Sequence, residues 1–153
     1  MAHTLEIVRC LKDNYAYLLH DHARAETTLI DAPEAAPILA ALHRLGWRLT
    51  RVLLTHHHWD HVDGLAAILA DHRVPVFGAS ADSHRLPPLD HMFAPGDALL
   101  DGACRVLDAP GHTLGHVAFH FPAAELLFSG DSLMTHGCGR LFEGTAADMH
   151  ATV

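Results

Sequence analysis

The segment LLTHHHWDHVDG, residues 53–64, sets four histidines and two aspartates directly after a short apolar run. His56, His57, His58 and His61 crowd around Asp60, where protonated imidazoles would repel one another. Either a cation sits among them and demands neutral imidazole, or the cluster follows from composition, since 16 of the 153 residues are histidine. The company of the cluster favours the cation. Thr55 precedes it and Gly64 follows, and two distant segments, PGHTLGH (110–116) and FSGDSL (128–133), offer His112 and Asp131 in loops at strand ends, where function tends to be displayed.

Local geometry separates the histidines. In extended chain, residues at i, i+2 and i+4 point the same way, so His56, His58 and Asp60 are expected to converge on one side. His61, starting the next helix, can turn back toward the same pocket. His57 and Trp59 have the opposite parity and are expected to face elsewhere. Neutral imidazole and carboxylate are good ligands for zinc, and iron and manganese accept the same donors.

The rest of the chain reads as strands, then a helix, a strand, a helix, and strands again. TLEIVRC (4–10) and NYAYLLHD (14–21) alternate apolar and polar residues around a Lys12-Asp13-Asn14 turn, and TTLIDAP (27–33) is a third strand. APILAALHRLG repeats Ile38, Leu39, Leu42 and Leu45 at helical spacing and stops at Gly46. RVLLT (51–55) is a continuous apolar run, as in a strand buried on both faces. A helix carrying Leu65, Ile68 and Leu69 follows the histidines, then a strand VPVFGAS (74–80) and a stretch from Ala81 to Asp97 that reads mostly as loop. DALLDGACRVLDAP suggests a hairpin turning at Asp101-Gly102, HVAFHFP and ELLFSG are two more strands, and Thr145 is a candidate N-cap for a last helix. The expectation is one α/β (α+β) domain of two packed sheets with helices outside.

Composition removes other classes of function. A net charge of −8 with ten scattered Lys and Arg argues against a nucleic-acid partner. No apolar stretch approaches the roughly 20 residues that span a bilayer, which argues against a membrane role. The start, MAHTLEIVRC, lacks the basic and apolar regions of a secretory signal, and three separated cysteines make no disulfide framework, so a cytoplasmic location is expected. Cys10 and Cys104 read as small core residues, and Cys138 as a small residue in a tight loop.

THHHWDHVDG resembles the H-x-H-x-D-H metal-binding signature of the metallo-β-lactamase superfamily. LKDNYAYLL, PGHTLGH and above all GDSLMTHGCGRLFEGT are similar to glyoxalase II, the hydroxyacylglutathione hydrolases, over roughly Cys10 to Met149. The resemblance implies an αββα sandwich with two divalent metal ions, zinc first among the candidates. It places His56, His58 and His112 on one ion, Asp60 and His61 on the other, and Asp131 between them. Asp60 and Asp131 are the implied catalytic residues, in an attack on a glutathione thioester by a metal-bridging hydroxide that yields glutathione and a 2-hydroxy acid. Arg140, Leu141 and Phe142 fall where the family contacts glutathione; the alternative is a solvated loop position for Arg140 and a core position for Phe142. Some relatives carry tyrosine where Phe142 stands. Asp31 matches a family aspartate near the site and reads as structural, and His116 reads as a support behind the ligands or a structural residue rather than a ligand.

Two features depart from the family pattern. The chain ends about two turns into its last helix, so the sandwich is expected to be incomplete at the C-terminus. It would also lack one further histidine and a helical substrate-binding domain. Rival readings are a glutathione persulfide dioxygenase with one iron, and a non-catalytic metal-binding fragment.

Overall fold

The computed structural model describes residues 2–153. Ten strands form two sheets. The first runs in spatial order β1 (His3–Cys10), β2 (Asn14–Asp21), β3 (Glu26–Ile30), β4 (Leu49–Leu53), β5 (Val76–Ala79) and β6 (His91–Phe93). The pairings β1–β2 and β2–β3 are antiparallel, and those from β3 to β6 are parallel. The second sheet is antiparallel and contains β7 (Ala98–Leu99), β8 (Cys104–Asp108), β9 (Val117–Phe121) and β10 (Leu126–Phe128), in the order β10-β9-β8-β7.

The parallel crossovers require helices, because a parallel partner cannot be reached by a hairpin. Helix α1 (Ala35–Leu45) links β3 to β4. It stops at Gly46, whose φ of 65° and backbone bond to His43 form the expected left-handed cap. The link from β4 to β5 contains α2 (Trp59–Val62) and α3 (Leu65–Asp71). Helix α4 (Ala146–Thr152) begins at Thr145, which accepts from the Asp148 N–H while Asp148 accepts from the Thr145 N–H, a complete capping box.

Strand alternation divides the apolar interior into two layers. Leu18, Leu29, Val52 and Leu54 pack with Ile38 and Leu42 of α1 and Leu65 and Ile68 of α3. Their neighbours Leu19, Ile30 and Leu53 point the other way, into Val106, Val117, Phe119 and Phe128 of the second sheet. The apolar run RVLLT is thus buried on both faces, as its composition suggested. Cys10 and Cys104 lie in these cores, and Cys138 is exposed.

One local reading is refined and one changes. The stretch 81–97 holds a strand: β6 pairs with β5 through Phe77–His91, Gly78–Met92 and Ala79–Phe93. At three residues it is too short to show alternation, and its register comes from its neighbour. The extended segment after β4 also ends sooner than parity implied. His58 is the N-cap of α2, so Asp60 and His61 both stand on a helical turn.

Candidate metal centre

The loops leaving β3, β4, β8 and β10 meet at one end of the sandwich. Backbone bonds fix them together: Val117 N–H donates to Thr55 O at 3.0 Å, and Asp31 N–H to Leu53 O at 3.0 Å. Into this junction His56, His58 and His112 each bring a ring nitrogen, all within 4.8 Å of one another. His61 Nε2 lies 3.2 Å from Asp131 Oδ1 and 4.0 Å from Asp60 Oδ2. Asp131 Oδ2 is 3.5 Å from His112 Nε2, so this one carboxylate spans the two groups.

Hydrogen bonds behind the rings decide which nitrogen each presents. Thr55 Oγ1 donates to Asp31 Oδ2 at 2.7 Å and therefore accepts from His56 Nδ1 at 3.0 Å. His56 Nε2 is left buried with no partner. His61 Nδ1 donates to Asp31 Oδ2 at 2.8 Å, and His112 Nδ1 to Arg140 O at 2.7 Å. His112 Nε2 faces His58 Nδ1 at 2.9 Å.

Asp31 lies close enough to His56 and His61 to be a ligand itself. Its oxygens, however, already accept from Thr55 N–H at 2.8 Å, from Thr55 Oγ1 and from His61. It is 2% exposed and positions the donors rather than joining them. Asn14 does the same for Asp60: its Nδ2 donates to Asp60 O at 2.6 Å and reaches Oδ2 at 3.3 Å.

The charges are unbalanced without a cation. Burial pushes the His56 imidazole well below its usual range, and neighbouring His61, His116 and His112 push it further. His58 is lowered by burial and by His112. Burial would also lower His61, but Asp31 and Asp131 override it and raise it to about 10. His56 and His58 are thus held as neutral nitrogen donors, while His61 pulls positive charge toward Asp31 and Asp131. The donor set fits divalent cations. The orphaned Nε2 of His56 is the plainest sign, since an unpaired buried nitrogen costs about 1–3 kcal/mol that a cation would recover.

His116 is wholly buried, stacks on His56 at 4.7 Å and accepts from Asp131 N–H at 3.1 Å, which holds the Asp131 backbone in place. Gly130 makes that approach possible. Its φ is +50°, and a Cβ there would lie 2.7 Å from both His116 Nε2 and Thr55 Oγ1. His57 points away from the centre, with Nδ1 3.1 Å from Asp82 Oδ2, and Trp59 is 64% exposed.

Arg140, Leu141 and Phe142 lie on an exposed strap beside the histidines. The Phe142 ring meets His58 and His112 edge-on, each at 5.3 Å, and Arg140 Cζ is 5.7 Å from the Phe142 centroid. Phe142 is 58% exposed, so it is not a core residue. A cavity of about 310 Å³ opens beside His61 and Asp131, walled by Tyr15, Tyr17, Leu133 and Met134. Sequence reasoning gave no role to Asn14 or Asp82. Asn14 sits in the quoted LKDNYAYLL, while Asp82 carries no local pattern.

Residues 14–152 match the metallo-beta-lactamase superfamily, and the chain belongs to it. Membership in this superfamily implies divalent-metal binding, consistent with the histidine and aspartate group. The chain is 59% identical over 148 residues to the hydroxyacylglutathione hydrolase of Jannaschia sp. (strain CCS1), a match covering 95% of this chain and 58% of that protein. It is 59% identical over 155 residues to the protein of the same name from Fuscovulum blasticum, covering 100% and 61%. The chain therefore spans about three-fifths of the length of these curated relatives. Among solved structures, TTHA1623 in a di-iron-bound form superposes with a TM-score of 0.83 at 27% identity, over 95% of this chain and 81% of that one. No described helix is long and apolar enough to cross a membrane.

Proposed function

We propose that this chain carries the catalytic centre of a metal-dependent hydrolase that cleaves S-(2-hydroxyacyl)glutathione to glutathione and a 2-hydroxy acid. The observation that carries the reading is the meeting of three buried or half-buried imidazoles with His61 and Asp131, beside a strap bearing Arg140 and Phe142. The hydroxyacylglutathione hydrolases that are 59% identical supply the substrate class.

In this reading His56, His58 and His112 would hold one divalent ion and Asp60 and His61 a second, and Asp131, which faces both His61 and His112, would serve both. Zinc is the first choice, with iron and manganese as alternatives. When bound, such ions make a water acidic enough to attack near neutral pH and polarise the carbonyl that it attacks. The chain's own groups do the rest. Asp60, steadied by Asn14, orients the water and takes its proton on a carboxylate oxygen. The new carbon–oxygen bond forms as the carbon–sulfur bond breaks, and the electron pair leaves on sulfur. A thiol of pKa about 8.5 is a good leaving group, so no dedicated acid is needed before the thiolate collects its proton. Arg140 attracts the carboxylates of the tripeptide, while Leu141 and Phe142 cover its apolar stem and limit water.

The test is thiol release from S-lactoylglutathione by the metal-loaded chain, its loss on chelation and its return with added zinc. Oxygen uptake with glutathione persulfide in place of thiol release would replace this reading with the dioxygenase. Metal binding without either activity would leave a non-catalytic metal protein.

A further inference from the structure

A second polar cluster lies behind the metal centre and includes none of the residues that could hold metal. Asp82 is 2% exposed, and two side chains meet its carboxylate: Arg85 Nη2 at 2.5 Å and His57 Nδ1 at 3.1 Å. Arg85 also forks onto Glu143, with Nη1 on Oε1 and Nη2 on Oε2 at 3.2 Å. Glu143 Oε2 accepts from Leu114 N–H at 2.9 Å, and its Oε1 lies 3.6 Å from His57 Nε2. Gly115 closes against the other side: a Cβ there would fall 2.3 Å from Asp82 Cγ.

Four separate segments are thereby tied together. They are the histidine run at 57, the turn after β5 at 82–85, the turn of His112 at 114–115, and the strap at 143. Within the strap Arg140, Leu141 and Phe142 are exposed, and apolar burial contributes little to holding them. Its main-chain ties here are His112 Nδ1 to Arg140 O, Phe142 N–H to His112 O at 3.2 Å, and Gly144 N–H to Gly111 O at 3.1 Å. Glu143 supplies the side-chain anchor of this strap, one residue beyond Phe142.

We propose that Asp82, Arg85 and Glu143 form a latch that fixes the Arg140–Gly144 strap over His58 and His112, and so sets substrate affinity rather than metal retention. These are positioning residues, acting through Arg140 and Phe142. The affinity half of the proposal rests on the reading of those two residues given above. A bidentate guanidinium suits the task because its planar fork serves two carboxylates at fixed angles, which a lysine cannot do.

Glu143→Gln is the cleaner variant, because Asp82 keeps its arginine. Arg85→Ala strands a buried carboxylate and endangers folding, so Arg85→Lys, which keeps the charge without the fork, accompanies it. The metal-loaded chain is treated with trypsin, and cleavage after Arg140 is followed by mass spectrometry together with cleavage after Arg24 and Arg105. Metals per chain and the kinetics of thiol release are measured on the same samples. The expected result for Glu143→Gln is roughly fivefold faster cleavage at Arg140 alone, the most that losing the charge of a solvent-screened ion pair would give, with metal content unchanged. KM should rise by a similar factor while kcat moves far less, and Arg85→Lys should fall between the wild type and Glu143→Gln.

Unchanged cleavage at Arg140, or equal acceleration at all three sites, overturns the latch. Loss of metal in Glu143→Gln does so as well. Faster cleavage at Arg140 with unchanged KM overturns the affinity assignment while thioester hydrolysis stands. If the wild type releases no thiol, the proposed function fails, and protease and metal measurements still decide the latch.

Discussion

His61 Nδ1 donates to Asp31 Oδ2 across 2.8 Å, and the two residues are 3% and 2% exposed. The contact aims His61 Nε2 at Asp131. Asp31 is held for the task by an unusual backbone: its φ of 59° ends β3 and turns the carboxylate toward Thr55. One aspartate thus orients His61 directly and His56 through the Thr55 hydroxyl.

Replacing Asp31 by asparagine tests this arrangement. The amide keeps one acceptor oxygen but sets an NH₂ against donors that the carboxylate satisfied. The expected cost is about 1–3 kcal/mol of stability, read from denaturant midpoints. Metal affinity should fall by about 10–100-fold, as when a group behind a ligand is lost. Unchanged metal titration would show that His61 is oriented by packing alone.

The sequence and the structure agree where a residue's environment is set by near neighbours. Parity alone turned His57 and Trp59 away from His56 and His58, and the unbroken run Val52-Leu53-Leu54 announced a strand covered on both faces. Asp60 did not follow the same rule, because a helix begins at Trp59 and replaces a two-residue period with a 3.6-residue one. β6 left no trace, since its register is borrowed from β5. Asp82 and Glu143 were invisible for a related reason. Arg85 and Glu143 are 58 positions apart, and His57 and Asp82 are 25 apart, so no local spacing connects them.

Asp131 and His57 offer a contrast within the centre. Asp131 faces both His61 and His112, whereas His57 is turned to Asp82 and Glu143. Asp131→Ala should lower metals per chain after dialysis, and His57→Ala should retain the wild-type content. Equal metal content in the two variants would count against Asp131 as a shared ligand.

Gly130 tests how tightly the Asp131 backbone is held. An alanine Cβ would meet His116 and Thr55 at 2.7 Å in a backbone conformation that alanine disfavours. Strain of this kind costs about 1–3 kcal/mol. Gly130→Ala is expected to lower the thermal midpoint and to weaken metal binding together. A variant as stable as the wild type would mean that the Ser129–Asp131 turn relaxes without consequence.

Acid should release the latch in a defined window. Hydrogen bonds from Arg85 hold the Glu143 carboxyl down to about 2 from an ordinary 4.5, against a smaller opposing effect of burial. A depressed carboxylate binds fewer protons in the folded state, so its contribution is complete above 4.5 and disappears as pH falls through about 2. Glu143 is 23% exposed along its side chain, and solvent screening keeps the contribution to about 1 kcal/mol or less. The amide of the Glu143→Gln variant has no proton to exchange in this range. The denaturant midpoint of wild type minus that of Glu143→Gln, measured with chelator present, should be constant from neutral pH down to about 5 and shrink below it. A difference that stays flat across the acid range would show that the Arg85 pair does not perturb Glu143, and the charge-assisted part of the latch would have to be abandoned.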